Sequence, residues 1–85
     1  MARHISFDEI VEILHSETIA RGSSVYVRHG LNKRFGRGKW RKMKGAALWQ
    51  RPEDDKVFLI EVHWFEAHGV GRHLPKLVRY LEQES

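Results

Sequence analysis

Apolar residues recur along this chain with two different periods. Phe7, Ile10, Val11 and Leu14 repeat at the i, i+3, i+4, i+7 spacing of one helix face. Ser6-Phe7-Asp8-Glu9 before them reads as a capping box, with Ile5 and Ile10 as a hydrophobic staple. The pattern predicts a first helix from Phe7 to Ile19, with Gly22 available as its stop. Ser24 to Arg28 reads as a short strand, and Met43 to Gln50 as a second. Arg51-Pro52-Glu53-Asp54-Asp55 carries turn chemistry. Val57 to Phe65 then alternates as a third strand. It puts Phe58, Ile60, Val62 and Trp64 on one face, and Val57, Leu59, Glu61, His63 and Phe65 on the other. That second face is apolar enough to suggest a partner or homodimer surface. Leu74, Leu77, Val78 and Leu81 return to the helical spacing, with Pro75 suited to a first turn. The expectation is an α+β fold of order α-β-β-β-α: a three-stranded antiparallel sheet with two helices on one face, residues 1–85 forming a single domain. Residues 29–42, with three glycines and weak periodicity, are expected to form a basic mobile loop or arm.

Composition narrows the function classes. There is no cysteine, so disulfides and thiolate zinc sites are excluded and an intracellular, cytoplasmic setting is expected. No apolar run approaches the ~20 residues of a membrane span, and no signal-peptide core follows the N-terminal Met1-Ala2-Arg3-His4. The net charge of +4 hides an asymmetry. Residues 18–52 hold ten Lys or Arg and no Asp or Glu, whereas the rest of the chain sums to −6. A block of one sign this long is a focused positive field, which attracts anions.

Three groups of residues could carry chemistry. In the first, Arg28, Lys33, Arg34, Arg37, Lys39, Arg41, Lys42 and Lys44 surround Phe35 and Trp40. Cations track a phosphate backbone and aromatic faces stack unpaired bases, so these residues are candidate nucleic-acid contacts; the bland alternative packs Phe35 and Trp40 on the core. The second is a His cluster, His63, His68 and His73, near Glu61 and Glu66. Its spacing does not enforce a metal site, and neither metal nor cofactor is expected. His63 or His68 with Glu66 as an acid/base pair, and Arg72 over a phosphate, would be the minimum for metal-free RNA cleavage. The third is Gly69-Val70-Gly71-Arg72, a candidate anion nest ahead of the last helix, or a tight glycine turn.

The predicted element order resembles that of double-stranded-RNA-binding domains and of toxin ribonucleases of the HicA type. The resemblance implies that the start of the last helix faces RNA, where Arg72, His73 and Lys76 occupy the corresponding place. Separately, Lys39-Trp40-Arg41-Lys42-Met43-Lys44-Gly45, with Trp64-Phe65-Glu66-Ala67-His68-Gly69-Val70-Gly71-Arg72 downstream, resembles a group of small bacterial proteins. That likeness implies a bacterial intracellular origin and no particular activity. Together these features predict a small basic nucleic-acid-binding module, with RNA favoured. The alternatives are a metal-free ribonuclease of toxin type and an interaction domain for an acidic protein.

Overall fold

The computed structural model describes residues 2–81; residues 1 and 82–85 of the expected domain lie outside it. Strands β1 (Arg3–His4), β2 (Ile10–Arg21), β3 (Arg41–Gln50), β4 (Val57–Ala67) and β5 (Gly71–Tyr80) form one antiparallel sheet in the order β1-β5-β4-β3-β2. Among the described residues the only α-helix is α1 (Arg28–Phe35), between β2 and β3. The expected three-stranded sheet with two helices is therefore wrong, and the element order behind the likeness to RNA-binding domains and toxins is absent. The second and third expected strands and the turn between them are present as β3, β4 and residues 51–56.

Both expected helices are bulged strands. Along β2 the pairing with β3 slips between Ile10 and Glu12, between Ile13 and His15, and between Thr18 and Ala20. Each slip leaves one residue unpaired, namely Val11, Leu14 and Ile19, and all three are exposed. The positions opposite the inward side of β3 are thus Ile10, Ile13, Ser16, Thr18 and Arg21, spaced by three more often than by two. Repeated bulges stretch the strand period toward that of a helix. The β-branched run Ile10, Val11, Ile13, Thr18 and Ile19 favours the extended choice. In β5 the same device skips Val78 and sets Leu74 and Pro75 against Trp64 alone. Pro75 sits at that bulge rather than in a helical turn, where its missing N–H costs the ladder least. Leu74 there has a positive φ of 59°.

The Ser6–Glu9 capping box does form, but it closes a single 3-10 turn over Phe7–Glu9. This turn carries the chain from β1 on one sheet edge to β2 on the other. Four strand spacings of a flat sheet span about 19 Å, more than a five-residue link containing a tight turn comfortably reaches. The sheet must therefore curl, and the bulges in β2 and β5 supply the bend.

The two sheet faces carry two cores. On the inner face Met43, Ala47, Trp49, Ile60, Val62, Trp64 and Leu77 pack beneath Ile5, Phe7 and Ile10 of the crossing segment. Phe7 meets Trp64 edge-on, with ring centroids 6.2 Å apart. The expected inward set of β4 is therefore right. On the outer face α1 covers a second core of Val25, Leu31, Trp40 and Ala67, joined by Phe35, Phe65 and Leu74. Residues 29–42 thus contain most of a helix and a buried indole rather than a continuous loop, and Ser24–Arg28 forms no strand. Phe65 is covered by this second core, whereas Val57 at the far end stays half exposed.

Gly45 sits where β2 and the Trp64 ring crowd β3. A Cβ there would sit 2.5 Å from the carbonyl oxygen of His15 and 3.1 Å from the Trp64 ring. Gly45→Ala must push β2 and an indole apart, an overpacking cost of about 1–3 kcal/mol. Its urea unfolding midpoint is expected to fall; an unchanged midpoint would show that the sheet is looser here than the contacts imply.

Candidate functional site

The strand register assembles a row of charges at one end of the sheet. Arg21 faces Arg41, Arg41 faces Glu66, and Glu66 faces Arg72. The Glu66 carboxylate accepts from Arg41 Nη2 at 2.6 Å and from Trp64 Nε1 at 2.8 Å, with Arg72 Nε at 3.6 Å. Burial pushes this carboxyl up, but the hydrogen bonds from Trp64 and Arg41 and the charges of both arginines outweigh it, so it lies below its ordinary value. Arg72 also lies over the Trp64 ring at 5.8 Å. Two guanidinium groups, those of Arg41 and Arg72, therefore share one carboxylate. Arg41 Nε is buried with no hydrogen-bond partner among the described residues, a situation that typically costs about 1–3 kcal/mol.

Helix α1 and residues 36–40 extend the positive end. The buried Trp40 indole donates to Asn32 Oδ1 at 2.9 Å, and Gly38 N donates to the same oxygen at 3.3 Å. These bonds tie the segment after α1 to the helix. A Cβ at Gly38 would lie 2.8 Å from the Ala67 side chain, so glycine is what lets this segment pass so close to the β4–β5 turn. Between α1, the end of β2 and the start of β3 lies a cleft of about 450 Å³, lined by Arg21, Arg28, Asn32, Lys39, Trp40 and Arg41. Lys33, Arg34, Arg37 and Lys39 are exposed around it.

Ion pairs account for few of the ten central cations. Arg41 is held by Glu66, Lys44 loosely by Glu17 at 3.7 Å, and Arg51 by Asp54. The remaining seven have no ion-pair partner among the described residues. The molecule is 42 Å long, and its charges are sorted along it. The β3–β4 turn holds Glu53, Asp54 and Asp55 at the end of the strands away from α1. There the hydrogen bond from Arg51 holds the Asp54 carboxyl down to about 2, and Arg3 pairs with Glu53 at 2.8 Å.

The expected contacts divide accordingly. Arg28, Lys33, Arg34, Arg37, Lys39, Arg41 and Arg72 gather at the α1 end. Lys42, Lys44 and Lys76 lie on the outer face of the sheet, Lys42 near the Phe65 ring at 5.9 Å. Phe35 and Trp40 are not open platforms. Trp40 is 2% exposed, and Phe35 stacks on His73 with centroids 3.9 Å apart. Tyr26, by contrast, is 96% exposed beside this end and was not singled out by its sequence context. Arg21 and Asn32 were likewise missed. Arg21 belongs to the visible charge block, but nothing in the sequence marks Asn32.

Of the candidate catalytic residues, Glu66 and Arg72 come within 3.6 Å of each other, but His63 does not join them. His63 and Glu66 point to opposite faces of β4. His63 Nε2 lies 2.7 Å from Glu61, which also accepts from Arg79 at 2.7 Å. The His63 hydrogen bond leads the causes that hold the Glu61 carboxyl below its ordinary value. His68 is exposed in the β4–β5 turn. Among the described residues no group of three His, Asp or Glu could hold a metal ion. Gly69 and Gly71 take positive φ in a tight turn between two strands, so no helix follows the proposed nest. No described helix is long and apolar enough to cross a membrane.

No family model, curated protein or solved structure matches the chain.

Two outcomes test this geometry. Asn32→Leu strands the N–H of a buried indole and is expected to lose about 1–3 kcal/mol in chemical unfolding; a neutral substitution would mean that water replaces the amide. Glu66 has a depressed folded-state pKa, so its charge stabilises the fold above pH 4.5 and that contribution fades as pH falls through the lower folded value. The difference in urea midpoint between wild type and Glu66→Gln should be present at neutral pH and shrink in acid below 4.5. A difference that grows in acid would reverse the assignment.

Proposed function

We propose that this protein is a nucleic-acid-binding module, with RNA favoured, whose contact surface is the α1 end of the sheet. The observation that carries the reading is the gathering of six of the seven unpaired central cations around one end of an elongated molecule. Unopposed like charges repel in the free protein, and a polyanion relieves that repulsion while releasing its own counterions. Arg28, Lys33, Arg34, Arg37 and Lys39 supply the phosphate contacts, and Arg72 extends them across the β4–β5 turn. Base stacking moves from Phe35 and Trp40 to Tyr26, the exposed aromatic ring beside these cations.

The experiment is binding to labelled single-stranded and double-stranded RNA across a salt series, with the RNA run on a gel afterwards. Affinity should fall steeply with salt, and Arg37→Gln should flatten the log–log slope for a single strand by about 0.7. Tyr26→Ala should weaken single-strand binding by about tenfold while leaving the slope alone. Intact RNA agrees with binding only. No binding at low salt would overturn the reading in favour of an acidic protein partner.

A further inference from the structure

We infer that the cleft between α1 and the start of β3 is a site for one phosphoryl group, deepening the nucleic-acid reading and resting on it for the molecule that carries the phosphate. The cleft is lined by Arg21, Arg28, Lys39 and Arg41, with Asn32 and Trp40 between them, and by no carboxylate. The orientation of the Asn32 amide is fixed by chemistry. The Trp40 indole is only a donor, so the atom it meets is the Asn32 oxygen, which accepts from Gly38 N as well. The Asn32 NH2 group is left as a donor with no partner among the described residues. Arg41, held by Glu66 through Nη2, lines the cleft as well. The free Asn32 amide hydrogens call for an acceptor that the protein itself does not supply.

Every unsatisfied group around the cleft is thus a donor or a cation. A carboxylate offers two oxygens and one charge, whereas a phosphoryl group offers three acceptor oxygens that forked guanidinium groups meet in pairs. The phosphate could be an internal phosphodiester or a terminal phosphomonoester of a strand, and the two differ in what they predict.

The test has two arms. In the first, inorganic phosphate is titrated at constant ionic strength into the full-length protein, with NMR following the Asn32 side-chain NH2 and Arg28 Nε–H signals. Saturable shifts at these groups are expected. Linear shifts spread over all Lys and Arg signals would overturn the site. In the second, 5′-phosphoryl and 5′-hydroxyl RNA of one sequence are bound to wild type, Arg28→Gln and Arg34→Gln. The two variants lose the same charge from the same helix, but Arg34 lies outside the cleft and over Phe35. A terminal phosphate in the cleft gives a preference of about tenfold for the 5′-phosphoryl strand that Arg28→Gln abolishes and Arg34→Gln keeps. An internal phosphate gives no such preference, but Arg28→Gln then weakens both strands about tenfold against about twofold for Arg34→Gln. Equal losses in the two variants would overturn the cleft and leave the broader nucleic-acid reading standing. Saturable phosphate binding with no RNA binding at any salt would overturn that reading and leave the cleft.

Discussion

Three indoles have to be buried in a chain of 85 residues, and each brings an N–H that must find an acceptor. Trp40, Trp49 and Trp64 are all 2% exposed or less. Their acceptors are Asn32, Glu9 and Glu66, one from α1, one from the crossing segment and one from β4. The bonds of Trp40 and Trp49 therefore join separate elements, and that of Trp64 closes within β4. Trp49 to Glu9 seals the N-terminal crossover onto the inner core, and Arg3 lies over the same indole at 5.0 Å. Trp40 to Asn32 closes residues 36–40 against the helix. Trp64 to Glu66 binds the inner core to the arginine row. An unpaired buried N–H costs about 1–3 kcal/mol, a large share of what so small a domain can muster. The position of the polar residues follows from what the aromatic ones require.

Glu66 connects this requirement to the charged end of the molecule. A single carboxylate satisfies an indole and holds one arginine closely, while a second approaches to 3.6 Å. Arg41–Glu66 carries more electrostatic weight than the exposed Lys44–Glu17 pair, because Glu66 is largely shielded from water. Fixing Arg41 in this way also sets one wall of the cleft. The other cations at this end meet no such neutralising partner. Five of the eleven acids of the chain, which could have balanced them, sit at the opposite turn and along β2. A fold selected for stability alone would interleave the two signs, so this separation is a local inconsistency of the kind that accompanies binding surfaces.

Much of this was legible in the sequence, and the failures share one cause. The strands β3 and β4 and the inward set Phe58, Ile60, Val62 and Trp64 follow from clean alternation, because these two strands pair with each other without a slip. The strands β2 and β5 do not, because their bulges shift the inward set by an extra residue and produce spacings of three. Four apolar positions at i, i+3, i+4 and i+7 then look like a helix stripe, although Val11 and Leu14 face solvent. The capping box misled for a related reason: one turn satisfies it as well as a full helix does. The charge block was plain, because it depends on composition and not on conformation. The aromatic residues within it were not, because an indole among cations reads equally as a stacking platform or as core. Asn32 was invisible, since its role arises only when α1 brings it against Trp40.

That double role ties the cleft to the fold. Asn32 turns its oxygen to the buried indole, and only this orientation leaves its amide hydrogens free. Any group that binds those hydrogens favours the conformer in which the indole is satisfied. It therefore stabilises the outer core by mass action, growing with the logarithm of its concentration over its dissociation constant. The reverse holds as well. The four cations that line the cleft repel one another, and the helix that carries Arg28 is short, with only Leu31 fully buried along it. An eight-residue helix has little stability of its own and depends on its packing. The element that forms the cleft is thus among the least self-sufficient in the molecule, and an anion there would offset the repulsion at the point where the fold is weakest.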